Sequence, residues 1–270
     1  MPRERRPAER ARAPRRSSEQ PRGRPTRADE SPRRQRPQAH SHYSPRSERE
    51  FALPSSVVGE LRDSLERHAD APAESRSLRS PQALERRLTS AAAAYERDRY
   101  EEALSTVRPV VARAPDAPAV LELYGLTLYR LGRWRQAARH LRHLHELTGS
   151  YDQHPVIADC ERALGHLDKV RLLWDELRKA GVDRDVLVEG RLVMAGALAD
   201  SGDLEQAIEL LRSEAANKKH PDLRHLRQWY ALADLFERAG DLPRARQLFA
   251  RVAQADAEVL DAPARLAALR

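Results

Sequence analysis

The sequence predicts an all-α fold: a solenoid of about five stacked helix pairs with a C-terminal capping helix, preceded by a disordered tail. Three observations predict it. Residues 118–147 carry apolar side chains at helical spacing, Leu121, Tyr124, Leu128 and Leu131, then Trp134, Ala137, Ala138, Leu141 and Leu144, so they read as two amphipathic helices folded back at Leu131-Gly132. The reversal recurs along the chain. The first 50 residues, by contrast, contain no Leu, Ile, Val or Phe, and cannot form a core.

The tail comes first. Residues 1–50 hold 15 Arg against seven acids, a net +8, and eight of the chain's 18 prolines. The remainder has 33 basic and 34 acidic residues, so the whole positive excess of +7 belongs to the tail. Without branched apolar side chains the segment cannot offset the entropy of ordering, about 1–2 kcal/mol per residue for the backbone. It has neither the apolar stretch of a secretory signal nor the acid-poor amphipathicity of an organelle presequence. No run approaches the roughly 20 apolar residues of a membrane span. The lone Cys160 forms no internal disulfide, and a reducing cytoplasm is the expected compartment.

Residues 51–80 read as a short amphipathic helix and a linker. Pro54-Ser55-Ser56 suits a helix start, Val57, Val58, Leu61 and Leu65 share a face, and 71–80 is rich in Pro, Ser and Ala. The helix either covers the first repeat or is offered to a partner. Ser80-Pro81 then supplies an N-cap and a first helical position.

Over 81–257 one reversal motif returns. It reads Asp98-Arg99-Tyr100 with Ala103, Gly132-Arg133-Trp134 with Ala137, Gly165-His166-Leu167 with Val170, Gly202-Asp203-Leu204 with Ala207, and Gly240-Asp241-Leu242 with Ala245. The steps between the last-named residues are 34, 33, 37 and 38, and a helical hairpin at a period near 34 is a known repeat architecture. Gly125 and Ala137 are small enough for close helix approach. The two longer steps predict extended loops at 181–183 and 217–221. Residues 258–270 are expected to cap the stack, with Leu266 and Leu269 on one side of a helix and Arg265 and Arg270 on the other.

On these residues the chain resembles the tetratricopeptide repeat (TPR) proteins. The fifth pair comes nearest the consensus, with Trp229, Leu232, Ala233, Phe236, Ala245 and Phe249, and the second has Tyr124-Gly125. The third departs most, with Glu161 at a usual packing position and Val170 at a usual small one. The phrase HPVIADCERALG at 154–165, with the Arg/Pro tail, also resembles uncharacterised TPR proteins of high-GC bacteria. The resemblance implies a right-handed solenoid that binds other proteins, with the first helix of each pair lining a concave groove.

Sequence inspection yields no catalytic or cofactor-binding motif. Gly residues stand singly at reversals, without a phosphate-cradling loop, a G-x-S-x-G elbow or an H-E-x-x-H helix. His140, His143 and His145 read as a solvated basic face and not as metal ligands, and Cys160 as a small core residue. Trp134, Trp174, Trp229, Phe236 and Phe249 read as core.

The groove positions implied by the family (second, fifth, ninth, twelfth and thirteenth of each repeat) map to nine acids, Glu85, Glu96, Glu122, Asp152, Asp159, Glu189, Asp200, Asp234 and Glu237. Four bases join them, Arg130, Arg162, Arg227 and Arg238, together with Tyr95, Tyr129 and Tyr230. The two-carboxylate clamp of chaperone-binding relatives is missing, its positions being Leu88, Ala92, Glu122 and Leu126. The expected ligand is therefore a protein or peptide segment, basic by complementarity, for which the tail itself would compete. The alternative partner is nucleic acid, reached through the tail arginines. The bland alternative is an ordinary solvated helix face.

Overall fold

The computed structural model describes residues 53–69, 80–212, 221–256 and 260–269. The expectations about the tail at 1–50, the linker at 71–79 and most of the 217–221 loop lie outside the described residues. Within them there are twelve α-helices and no strand: α1 (Val57–Arg67), α2 (Pro81–Glu96), α3 (Tyr100–Arg113), α4 (Pro118–Arg130), α5 (Trp134–Thr148), α6 (His154–Ala163), α7 (Leu167–Lys179), α8 (Arg184–Asp200), α9 (Leu204–Arg212), α10 (Leu223–Arg238), α11 (Leu242–Ala255) and α12 (Ala262–Ala268).

Five pairs, α2/α3 to α10/α11, are each closed by the same device. Asp98, Gly132, Gly165, Gly202 and Gly240 stand at the five reversals with φ between 58° and 93°. After each, the next residue's N–H reaches back five residues: Arg99 to Ala94 O, Arg133 to Leu128 O, His166 to Glu161 O, Asp203 to Leu198 O and Asp241 to Phe236 O, all at 2.8–2.9 Å. These bonds satisfy carbonyls that a helix end leaves open, and they need a left-handed residue, which Gly adopts without steric cost. Asp98 does the same with a side chain, and its carboxylate accepts from Tyr100 OH.

Each helix packs on the next, and the first helices of successive pairs also meet, α2 with α4, α4 with α6, α6 with α8 and α8 with α10. The second helices do not pack on each other to a comparable extent, so the stack is tighter along its first helices. This geometry places them on the concave side. Gly125 lets α4 and α5 close up, since a Cβ there would lie 2.5 Å from Leu141 Cδ2.

Both ends are covered. From α1, Leu61 is fully buried and Arg67 Nε donates to Asp116 at 2.7 Å. Glu60 Oε2 accepts from Ala119 N at 3.1 Å, so a carboxylate from another helix serves the N-terminus of α4, whose own N-cap, Ala117, has no polar side chain. Of the two expectations for the 55–68 helix, it follows the cover. At the other end α12 packs on α11 and buries Ala262, with Leu266 and Leu269 half-covered.

Three sequence expectations need correction. The extra residues of the third step do not form an extended loop at 181–183: only Ala180–Asp183 separate α7 from α8, and α8 itself runs to 17 residues against 10 for α6. Trp134 is half-buried, not core, packing edge-on to Tyr129 at 5.3 Å. Two of the three α5 histidines are not part of a solvated face either, whereas the side chain of His143 is 44% exposed beside Glu146. His140 packs edge-on to Tyr124 at 4.8 Å, and His145 lies edge-on to Tyr151 and buried His154 at 4.8 and 4.4 Å.

Candidate functional site

The concave face is built in register from the reversals. Three residues before each left-handed residue stand Tyr95, Tyr129, Arg162, Ala199 and Glu237, and two before it Glu96, Arg130, Ala163, Asp200 and Arg238. Six before it stand Ala92, Leu126, Asp159, Gly196 and Asp234. Spacings of three and four hold these positions on one side of each helix. Successive pairs then bring like positions next to one another.

From the third pair onward the side chains join across the repeats. Asp159 is fully buried, accepts from Tyr129 OH at 2.6 Å and pairs with Arg162 at 3.3 Å. Arg162 continues to Asp200 at 2.7 Å, lying over Gly196, where a Cβ would sit 2.7 Å from the guanidinium carbon. Arg238 meets Asp200 at 3.6 Å and donates to Ala199 O at 3.0 Å. Arg227 holds Glu189 at 2.7 Å, and burial pushes the Glu189 carboxyl up to about 7 against the pull of Arg227. The ladder ends on α12, where Arg265 binds Asp234 at 2.8 Å and Glu237 at 2.7 Å, and donates to Tyr230 OH at 3.3 Å.

Most of the acids mapped to the groove therefore already have partners within the protein. Of the nine mapped acids, Asp159, Glu189, Asp200, Asp234 and Glu237 are paired with arginines, and Glu122 accepts from Gln153 Nε2 at 2.7 Å. Glu96 is exposed. Tyr95, Tyr129 and Tyr230 are buried, leaving edges and not open faces for stacking. Placed on the polar side of the capping helix from the sequence, Arg265 instead reaches the groove acids, because its long side chain extends from α12 onto α10.

The first two pairs differ. Arg130 is half-buried, its Nε donates to Tyr95 OH at 3.4 Å, and its guanidinium carbon lies 5.5 Å from the Tyr100 ring centroid. Burial and the Asp98 carboxylate push Tyr100 up to about 12, so it stays a neutral phenol.

No signal in the residue order points to Gln153, or to the ring cluster of His145, Tyr151 and His154. His154 Nε2 lies 3.3 Å from Glu176, and burial holds its imidazole well below the ordinary range. Glu161, a departure from the family pattern, is buried among Arg142, His166 and Lys169, so its carboxylate is held by basic side chains in place of apolar packing. Cys160 is buried, which pushes its thiol up and makes it a poor nucleophile. Among the described residues no group of three or more His, Cys, Asp or Glu is arranged to hold a metal ion, and no helix is long and apolar enough to cross a membrane. The nucleic-acid expectation rests on tail residues outside those described.

The tetratricopeptide repeat family model matches residues 87–145 and 192–258, that is, most of α2–α5 and α8–α11. A solved thermophilic TPR protein of Thermus thermophilus is 20% identical, with a TM-score of 0.54 over 69% of this chain and 98% of that one. The structure of Naa15/Naa10 bound to HypK-THB is 14% identical, with a TM-score of 0.34 over 78% of this chain and 39% of that one, a likeness too loose to argue from. No curated protein matches. With two matched stretches flanking the third pair and five equivalent reversals, the chain has the fold of a tetratricopeptide repeat solenoid.

Proposed function

We propose that the protein is a scaffold that holds a segment of a partner protein along its concave face, by binding alone. The observation that carries this reading is the ladder of cross-repeat pairs from Tyr129 through Asp159, Arg162 and Asp200 to Arg238. It holds long polar side chains in fixed rotamers before any ligand arrives, which lowers the ordering cost of binding. Several modest contacts held in register then add to a useful affinity. Because most acids are internally neutralised, we infer a ligand of mixed polar and apolar character in place of the basic segment that a count of acids suggests.

The test is selection from a random peptide display library on the full-length protein, followed by hydrogen exchange with the selected peptides bound. Protection is expected on α2, α4, α6, α8 and α10. A library that yields no binder, or binders that protect only α3, α5, α7, α9 and α11, overturns the reading.

A further inference from the structure

We propose that Arg130 is an anion-binding position on the concave face, taking the carboxylate of an Asp or Glu side chain in the bound segment. The proposal rests on the concave-face reading above and specifies one contact within it. Every other concave-face arginine meets a carboxylate within 4 Å: Arg162 with Asp159 and Asp200, Arg227 with Glu189, Arg238 with Asp200, and Arg265 with Asp234 and Glu237. Arg130 meets none among the described residues. Its one hydrogen bond is the long contact to Tyr95 OH, and its other neighbour is the Tyr100 ring.

A guanidinium carries five N–H donors and a charge it does not lose, and here at most one donor is used. The phenols orient the group without neutralising it. Half-burial removes part of the water that would otherwise do so, and strengthens an ion pair beyond that of a fully exposed one. A carboxylate presents two oxygens at the spacing of the guanidinium fork, so it fits better than a neutral amide of the same shape.

The same neighbourhood limits the ligand to a single acid. Glu122, on the same helix, acts electrostatically on the Tyr95 phenol that Arg130 contacts, and Asp98 acts on it too. A run of acids would meet these like charges. Leu88, Ala92 and Leu126 offer no second cation, which separates this position from a two-carboxylate clamp.

The library selection is repeated on full-length wild type, Arg130→Ala and Arg130→Lys. Wild-type binders are expected to share one position enriched in Asp or Glu. Arg130→Ala should lose that preference while keeping the others, and Arg130→Lys should keep it in part. One selected peptide and its Asp→Asn or Glu→Gln counterpart are then compared by fluorescence anisotropy. Wild type should lose about tenfold or more in affinity on the change, and Arg130→Ala should bind both peptides equally. Acid preference that survives in Arg130→Ala, or is missing from wild-type binders that still protect the first helices, overturns this proposal alone. A wild-type library without binders overturns the concave-face reading and this one with it. Circular dichroism and the thermal midpoint of each variant show whether a lost preference reflects lost fold, and Arg130→Lys then decides the matter.

Discussion

The concave face of this solenoid has two halves that use arginine differently. In the third to fifth pairs each arginine is tied to a carboxylate, and α12 closes the series by placing Arg265 on Asp234 and Glu237. In the first two pairs Arg130 sits against tyrosines and meets no acid among the described residues. A paired charge is held in one rotamer and meets a ligand as part of a fixed, neutralised surface. An unpaired, half-buried one adds little to stability and keeps its donors for something else. The face is thus divided between holding the repeats in register and remaining available, although a list of its residues shows only a mixture of acids and bases.

The largest expected effect lies in the paired half. Arg162→Met leaves Asp159 buried without its cation and opens the link to Asp200, which should cost about 3–5 kcal/mol and lower the thermal midpoint by several degrees. A midpoint unchanged by Arg162→Met would show that the ladder does not hold the repeats together.

Next is pH. Burial raises the Glu189 carboxyl from its ordinary value to about 7, so the folded state binds more protons than the unfolded one, and stability from this group is lost as pH rises from about 4.5 to 7. His154 acts the other way. Its imidazole is lowered in the fold, so its contribution is lost as pH falls below the ordinary histidine range. The two slopes oppose each other between about pH 4.5 and 6.5. Denaturant midpoints measured across that range should therefore change little in wild type, fall toward acid in Glu189→Gln and fall toward neutral pH in His154→Gln. Parallel profiles for all three proteins would contradict the assignment.

A smaller gain is expected at the one reversal without glycine. Asp98→Gly relieves a left-handed side chain at φ 58° but loses the bond from Tyr100, for a net stabilisation of no more than about 1 kcal/mol in chemical denaturation. The smallest effect sharpens the comparison from its other side. Arg130→Ala should move stability by only about 0.5 kcal/mol, as ordinary surface positions do. A loss as large as that of Arg162→Met would erase the distinction between the halves.

Much of the fold is legible in the residue order because its signals are local. Helical spacing of apolar residues, a Ser-Pro start at Ser80, whose Oγ accepts from Ala83 N at 3.2 Å, and a Gly or Asp before each second helix depend on neighbours within a few positions. The extra residues of the third step escape such reading, because a repeat period counts residues without saying whether they lengthen a loop or, as in α8, a helix. Trp134 escapes it because a helix face can be apolar without being fully covered, and coverage depends on the pair next to it.

The helix pairs, their reversals and the identity of the residues on the first helices thus follow from the order of amino acids alone, through backbone geometry and periodicity within single segments. Which of those charges already have partners is settled only when the pairs stack. Asp159 with Tyr129, Arg162 with Asp200, and Arg265 with Asp234 lie about 30 to 38 positions apart in the chain. Coulomb interactions depend on ångströms and on exclusion of water, neither of which is written in residue order.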